Sequence, residues 1–302
     1  MGVERGHANG LTIAYETLGD PAEPPLVLVA GLGRQLIGWP DGFLRALVER
    51  GHHVVRFDNR DVGESTHLSD GPQPDLHACL AGDASSAPYS LSDMAADTAG
   101  LLDALGIESA HLAGVSLGGM IAQTVAIEHP ERVRSLTSIM STTGERSLPQ
   151  ATPEAVEVLF QRPSRTREEA MDRAVSGARV IGSPAFPMDE AAVRDVAGRA
   201  WDRGYDPRGT ARQLAAVAAS GNRSEALRAL RVPTLVIHGE EDPLIRVEGG
   251  RATAVAIEGA ELVTIAGMGH DLPRGVWARI ADAIAALVAR VERERVAAGA
   301  VG

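Results

Sequence analysis

Gly114-Val115-Ser116-Leu117-Gly118-Gly119 sets one hydroxyl between a continuously apolar run, Ala110 to Val115, and a helical pattern, Leu117 to His129. A serine on a sharp strand-to-helix turn is suited to nucleophilic attack on a carbonyl. The turn lifts the Ser116 hydroxyl into the open at the carboxyl end of a strand. Side chains at the flanking glycines would collide with neighbouring backbone. The same turn aims the Leu117 amide and the positive end of the following helix at a reacting oxygen. By itself the pattern also fits a Gly-rich turn that merely packs a helix against a strand.

Serine at its free pKa is a weak nucleophile and needs a base, which needs an orienting acid. With this kind of turn, the acid and then the histidine follow the serine in chain order, in loops after later strands. Pro233 to His238 reads as a strand and leads into Gly239-Glu-Glu-Asp242-Pro243. Glu261 to Ala266 reads as another and leads into Gly267-Met-Gly-His270. Asp242 and His270 are therefore the expected acid and base. Glu240 and Glu241 compete with Asp242, which is favoured because Pro243 fixes the local turn. Of the nine histidines, His7, His67 and His77 precede the serine in expected loops. His52 and His53 open a strand, His111 lies in one, His129 ends a helix, and His238 sits just before the acidic turn. An oxyanion needs a second donor. The loop after the strand Leu26 to Ala30 reads Gly31-Leu32-Gly33, and the Leu32 amide is the expected one. Asp58-Asn-Arg60-Asp-Val-Gly63 looks catalytic but reads better as a buried ion pair and turn that brace the nucleophile loop.

The elements that must hold these residues alternate. Strand patterns at Leu11 to Tyr15, Leu26 to Ala30, His53 to Phe57, Ala110 to Val115 and Val133 to Met140 are interleaved with helical ones, which predicts a mostly parallel sheet flanked by helices. Ser90 and Asp93 resemble a capping box. Ser65 to Pro88 is expected to be a long loop. From about Ser141 to Asn222 the pattern is helical, broken by six prolines, with no strong strand; Gly275 to Arg293 reads as a final helix. The expected organisation is a core of residues 1–140 and 223–302 with a helical cap inserted at 141–222.

Composition narrows the function classes. A chain of 302 residues buries roughly three quarters of its unfolded surface. With 44% hydrophobic and 23% charged residues the sequence is that of a globular protein. A net charge of −11 repels phosphate backbones and anionic membranes, and 3% aromatics are too few for a base-stacking platform. Nucleic acid is excluded as a partner. Cys79 is the only cysteine, so no intrachain disulfide forms. Residues 1–10 are charged and lack an apolar stretch of signal-peptide length, and no run reaches the length of a membrane helix. The expectation is a cytoplasmic chain without membrane attachment. Oligomeric state is not legible. There is no H-E-x-x-H or Cys/His cluster, so no metal is expected.

The elbow, the D-x-R-x-x-G turn, Val-Pro-Thr-Leu-Val-Ile-x-Gly-Glu-x-Asp-Pro and Gly-Met-Gly-His occur in order at suitable spacing. Together they resemble the α/β-hydrolase fold superfamily across nearly the whole chain. Gly38-Trp39-Pro40-Asp41, with Arg60-Asp61 and Gly267 to His270, looks more narrowly like the aclacinomycin methylesterase group of polyketide-tailoring esterases. That resemblance implies a Ser-His-Asp esterase acting on a bulky apolar methyl ester without a cofactor. Many relatives begin the oxyanion loop with His-Gly, where this chain has Ala30-Gly31. Trp39, Met140, Met268 and Leu272 are expected to line an apolar substrate pocket with the cap, or else to pack the cap on the sheet. A serine nucleophile argues against epoxide hydrolases and haloalkane dehalogenases. Lactonases, carbon–carbon hydrolases and cofactor-free perhydrolases share the triad and stay open, as does a non-catalytic ligand-binding protein on the same scaffold.

Overall fold

Continuous apolar strands need helices on both faces of their sheet, and the computed structural model supplies them. It describes residues 2–299; Met1 and residues 300–302, which fall within the ranges read above, lie outside the described residues. In chain order the first half contains β1 (Glu4–Ala8), β2 (Leu11–Leu18), β3 (Pro25–Val29), α1 (Asp41–Val48), β4 (His53–Phe57), α2 (Leu76–Ala81), α3 (Leu91–Ala104), β5 (Ala110–Val115), α4 (Leu117–Glu128) and β6 (Val133–Ile139). There follow α5 (Pro153–Phe160), α6 (Arg167–Ile181), α7 (Glu190–Gly204), α8 (Pro207–Ser220) and α9 (Ser224–Ala229). The chain then closes with β7 (Thr234–Gly239), α10 (Val247–Ala256), β8 (Glu261–Ile265) and α11 (Trp277–Gly299).

The eight strands form one sheet in the order β1-β2-β4-β3-β5-β6-β7-β8. Only the β1–β2 and β2–β4 pairings are antiparallel. Strand alternation splits the core in two. Val27, Val29, Val55, Leu112 and Leu136 join α3 and α4 on one face. Leu26, Leu28, Val54, Ala113 and Ile139 join α1 and α11 on the other. Leu117 to Ala126 are all buried, so α4 is enclosed on every side. Because β3 to β8 run parallel, their carboxyl ends share one edge, and the loops after β3, β5, β7 and β8 meet there.

The five helices α5 to α9 stand between β6 and β7 with no strand among them. The starts of α5 to α8 are marked by side chains: Thr152, Thr166, Asp189 and Asp206 each accept a backbone N–H of the first turn. The prolines that interrupt the pattern partly serve those starts, since Pro153 and Pro207 occupy the first helical turn.

Several elements differ from the sequence reading. The edge strand β1 holds one buried apolar side chain, Ala8, too few for a visible period, and places His7 in a strand. The expected loop Ser65 to Pro88 contains α2, capped by Asp75 and carrying His77, with Cys79 buried. The final helix begins at Trp277 and extends to Gly299. Among the described residues no helix is long and apolar enough to cross a membrane.

Candidate active site

Ser116 lies between β5 and α4 with φ +56° and ψ −119°, a conformation that L residues rarely adopt. The strain is held by packing that leaves no room for side chains. A Cβ on Gly114 would stand 2.1 Å from Gly118 O, and one on Gly118 would stand 2.0 Å from Val29 O. The Ser116 amide donates to Ile139 O on β6, and Ser141 Oγ donates to Ser116 O at 2.8 Å.

His270 Nε2 lies 3.0 Å from Ser116 Oγ, and His270 Nδ1 lies 2.7 Å from Asp242 Oδ2. Three residues from three loops thus form one continuous hydrogen-bonded chain. Asp242 is fully buried, and its other oxygen accepts the amides of Leu244 and Ile245, both at 2.9 Å. Burial alone would raise the Asp242 pKa. His270 and His238 beside it outweigh that effect and hold the carboxyl well below the usual carboxylate range. His238 has its own role in this turn. Its Nε2 lies 2.7 Å from Ile245 O and 3.6 Å from Asp242 Oδ2, so it donates to the turn rather than to the carboxylate. Glu240 faces β8 instead, accepting from Thr264 Oγ1.

The loop 31–33 lies against the elbow, since a Cβ on Gly31 would be 3.5 Å from Ser116 Cβ. Among the described residues neither the Leu32 nor the Leu117 amide has an intramolecular acceptor. Two free N–H groups beside the Ser116 hydroxyl suit a developing oxyanion. Gly33 N donates to Gln213 Oε1 on α8 at 2.9 Å, and Gln213 Nε2 donates to Arg60 O.

The Asp58 to Gly63 segment does more than the single ion pair expected of it, and braces a different loop. Asp58 accepts the Leu36 amide at 2.6 Å, just beyond the 31–33 loop, and pairs with Arg203 of α7 at 3.0 Å. Arg60 is bidentate to Asp97 on α3. Asp61, itself at φ +69°, is bidentate to Arg212 on α8 and accepts from Tyr89. One turn therefore ties three layers together.

Trp39, Met140 and Met268 depart from their expected place as pocket walls. They are 3%, 0% and 0% exposed and pack with Phe43, Ile237 and Ile280 in the core beneath the sheet. Their surface is already occupied, because each follows a strand or turn on the side facing α1 and α11. Leu272 is half-buried at the rim of that cluster. As for metals, Asp61, His67 and Asp206 converge, but Arg212 contacts both carboxylates. His67 Nδ1 faces Asp206 at 2.9 Å and Nε2 faces Gly63 O at 3.0 Å. Both partners accept, so the ring that satisfies them carries two protons; burial opposes that charge, and the two acceptors outweigh it and raise the His67 pKa.

The family model described as the alpha/beta hydrolase fold matches residues 24–273. The chain belongs to the α/β hydrolase fold family. It is 31% identical over 297 residues to rhodomycin D methylesterase DnrP of Streptomyces peucetius, covering 91% of this chain and 94% of that one. Among solved α/β hydrolases, the esterase RhEst1 from Rhodococcus sp. ECU1013 superposes with a TM-score of 0.71 at 21% identity, covering 97% of this chain and 99% of that one. The enol-lactonase from Burkholderia xenovorans LB400 superposes at 0.68 with 24% identity, covering 96% and 100%. At such identities these two structures speak for the fold alone.

Residues outside the motifs also hold these loops. His238 and Gln213 carried no signal beyond their type, because their partners lie in another loop and another layer. Arg203 and Arg212 sit on helices whose pattern showed only amphipathicity.

Proposed function

We propose that this chain is a serine carboxylic ester hydrolase acting on the methyl ester of a bulky, apolar, polyketide-like acid. The observation that carries this reading is the unbroken Ser116–His270–Asp242 chain at the carboxyl edge of the sheet. The substrate class is taken from the likeness to rhodomycin D methylesterases, which spans nearly both chains. In this reading residues 141–222 form a cap over the site.

Ser116 Oγ attacks the ester carbonyl carbon as its proton passes to His270 Nε2. Asp242, kept ionised, holds the opposite ring nitrogen protonated and balances the imidazolium. The amides of Leu32 and Leu117 donate to the oxyanion; such a donor is commonly worth about 3–4 kcal/mol. Collapse expels methoxide, which takes the proton from His270 and leaves as methanol. Water then gives a proton to His270, its oxygen attacks the acyl carbon, and Ser116 is released with its proton restored.

A panel of p-nitrophenyl esters, aromatic polyketide methyl esters and lactones tests the reading. Hydrolysis of the methyl esters, absent in Ser116→Ala, is expected. Turnover of lactones with no activity on the open-chain esters would overturn the ester assignment, and no turnover in any class would return the chain to a ligand-binding role.

A further inference from the structure

The triad mechanism makes no use of a short strap by which the helical insertion grips the histidine loop. Residues 181–186, the end of α6 and the turn behind it, run antiparallel to residues 267–271. Ile181 O accepts the His270 amide at 2.6 Å, and the Ala185 amide donates to Gly267 O at 3.2 Å. Between them, Ser183 Oγ accepts the Gly269 amide at 2.9 Å and donates its own proton to Asp271 Oδ1. One hydroxyl therefore serves the residue before His270 and the residue after it. The approach is close enough to dictate residue type. A Cβ on Gly269 would stand 2.3 Å from Gly182 O, and one on Gly267 would stand 2.2 Å from Ala185 Cβ. Phe186 secures the far end against Gly275, 2.8 Å from where a Cβ would sit there.

We propose that Ser183 is a positioning residue for the base, so that the insertion governs where the His270 imidazole stands relative to Ser116. This rests on the triad reading above. The two glycines that let the strap approach also leave the loop little conformational restraint of its own. The imidazole is held by Asp242 on one side, and its backbone is held by the insertion on the other. Removing the Ser183 hydroxyl frees the Gly269 amide and takes the hydroxyl donor from the half-buried Asp271 carboxyl. Burial already raises the pKa of Asp271, against the bond from Ser183. A displacement of about 1 Å at a catalytic group can lower a rate about a hundredfold.

Two readouts on the full chain test this. With p-nitrophenyl acetate, whose two-carbon acyl group asks little of a substrate pocket, Ser183→Ala is expected to lower kcat roughly tenfold to a hundredfold with KM little changed. Ser183→Thr, which keeps the hydroxyl, is expected to restore most of it. In proton NMR, the low-field resonance of the His270–Asp242 hydrogen bond should broaden or vanish in Ser183→Ala and persist in Ser183→Thr. Wild-type kcat together with a wild-type resonance in a folded Ser183→Ala would overturn the proposal. If the alanine variant does not fold, the near-isosteric Ser183→Cys, a weak hydrogen-bonder, is read the same way. If the wild type shows no hydrolysis above Ser116→Ala, the esterase reading fails and the resonance alone decides the strap.

Discussion

The carboxyl edge of the sheet and the helical insertion after β6 are held by different means. At the edge, backbone meets backbone: Gly114 against Gly118 O and Gly118 against Val29 O leave no room even for a methyl group. Apart from the backbone contacts of residues 181–186 with the histidine loop, the insertion is fastened largely by charged and polar side chains, with Arg203 on Asp58, Arg212 on Asp61 and Gln213 on the Gly33 amide. The first region is a template whose strain at Ser116 is enforced by its surroundings. The second is a set of ties that substitution or pH can loosen one at a time. The proposed nucleophile stands in the rigid region, and most of the ties around it belong to the adjustable one.

The largest effect should separate the two regions outright. Ser116→Ala is expected to lower ester hydrolysis by roughly 10⁴-fold or more with an unchanged thermal midpoint, measured by steady-state kinetics and calorimetry. A comparable loss in midpoint would mean that the serine holds the fold rather than the chemistry. Next comes the deepest tie. Asp61→Ala leaves Arg212, 1% exposed at its side chain, without its bidentate partner. Breaking such a pair costs about 3–5 kcal/mol, on the order of 10 °C in the midpoint. Arg203→Met leaves the buried Asp58 carboxyl with the Leu36 and Glu64 amides still donating to it, and should cost less, about 1–3 kcal/mol. Equal losses from the two substitutions would contradict the graded fastening described above.

The smallest effect is one of pH. His67 has a folded pKa raised above its unfolded value of about 6.5 by Asp206 and Gly63 O acting against burial. Its stabilisation is complete below that unfolded value and is lost as pH rises through the raised folded one. Asp242, with a lowered folded pKa, acts in the opposite sense, stabilising above its unfolded value of about 3.9 and losing that as pH falls. Urea unfolding from about pH 6 to 9 should therefore show a decline in the wild type that His67→Gln flattens. Parallel curves for the two proteins would remove His67 from the set of ties.

The same contrast explains what was legible in the residues. The elbow, the acid after β7 and the histidine after β8 could be read because each needs particular residue types at fixed offsets from a strand end. The proposed roles of Leu32 and Leu117 rest on the same logic. The ties of the insertion could not be read, since Arg203, Arg212 and Ser183 meet their partners across more than 80 residues of chain. The pocket expectation for Trp39, Met140 and Met268 went astray for a related reason. Position after a strand says which edge a residue occupies but not which side of the sheet its side chain enters.

The central claim is that Ser116 is a nucleophile activated by His270, and a fluorophosphonate probe tests it most directly. At neutral pH the wild-type chain should gain one covalent adduct on the peptide containing Ser116. His270→Ala should slow that labelling, and Ser116→Ala should abolish it. No adduct on the folded wild type, or an adduct that survives in Ser116→Ala, would contradict the account.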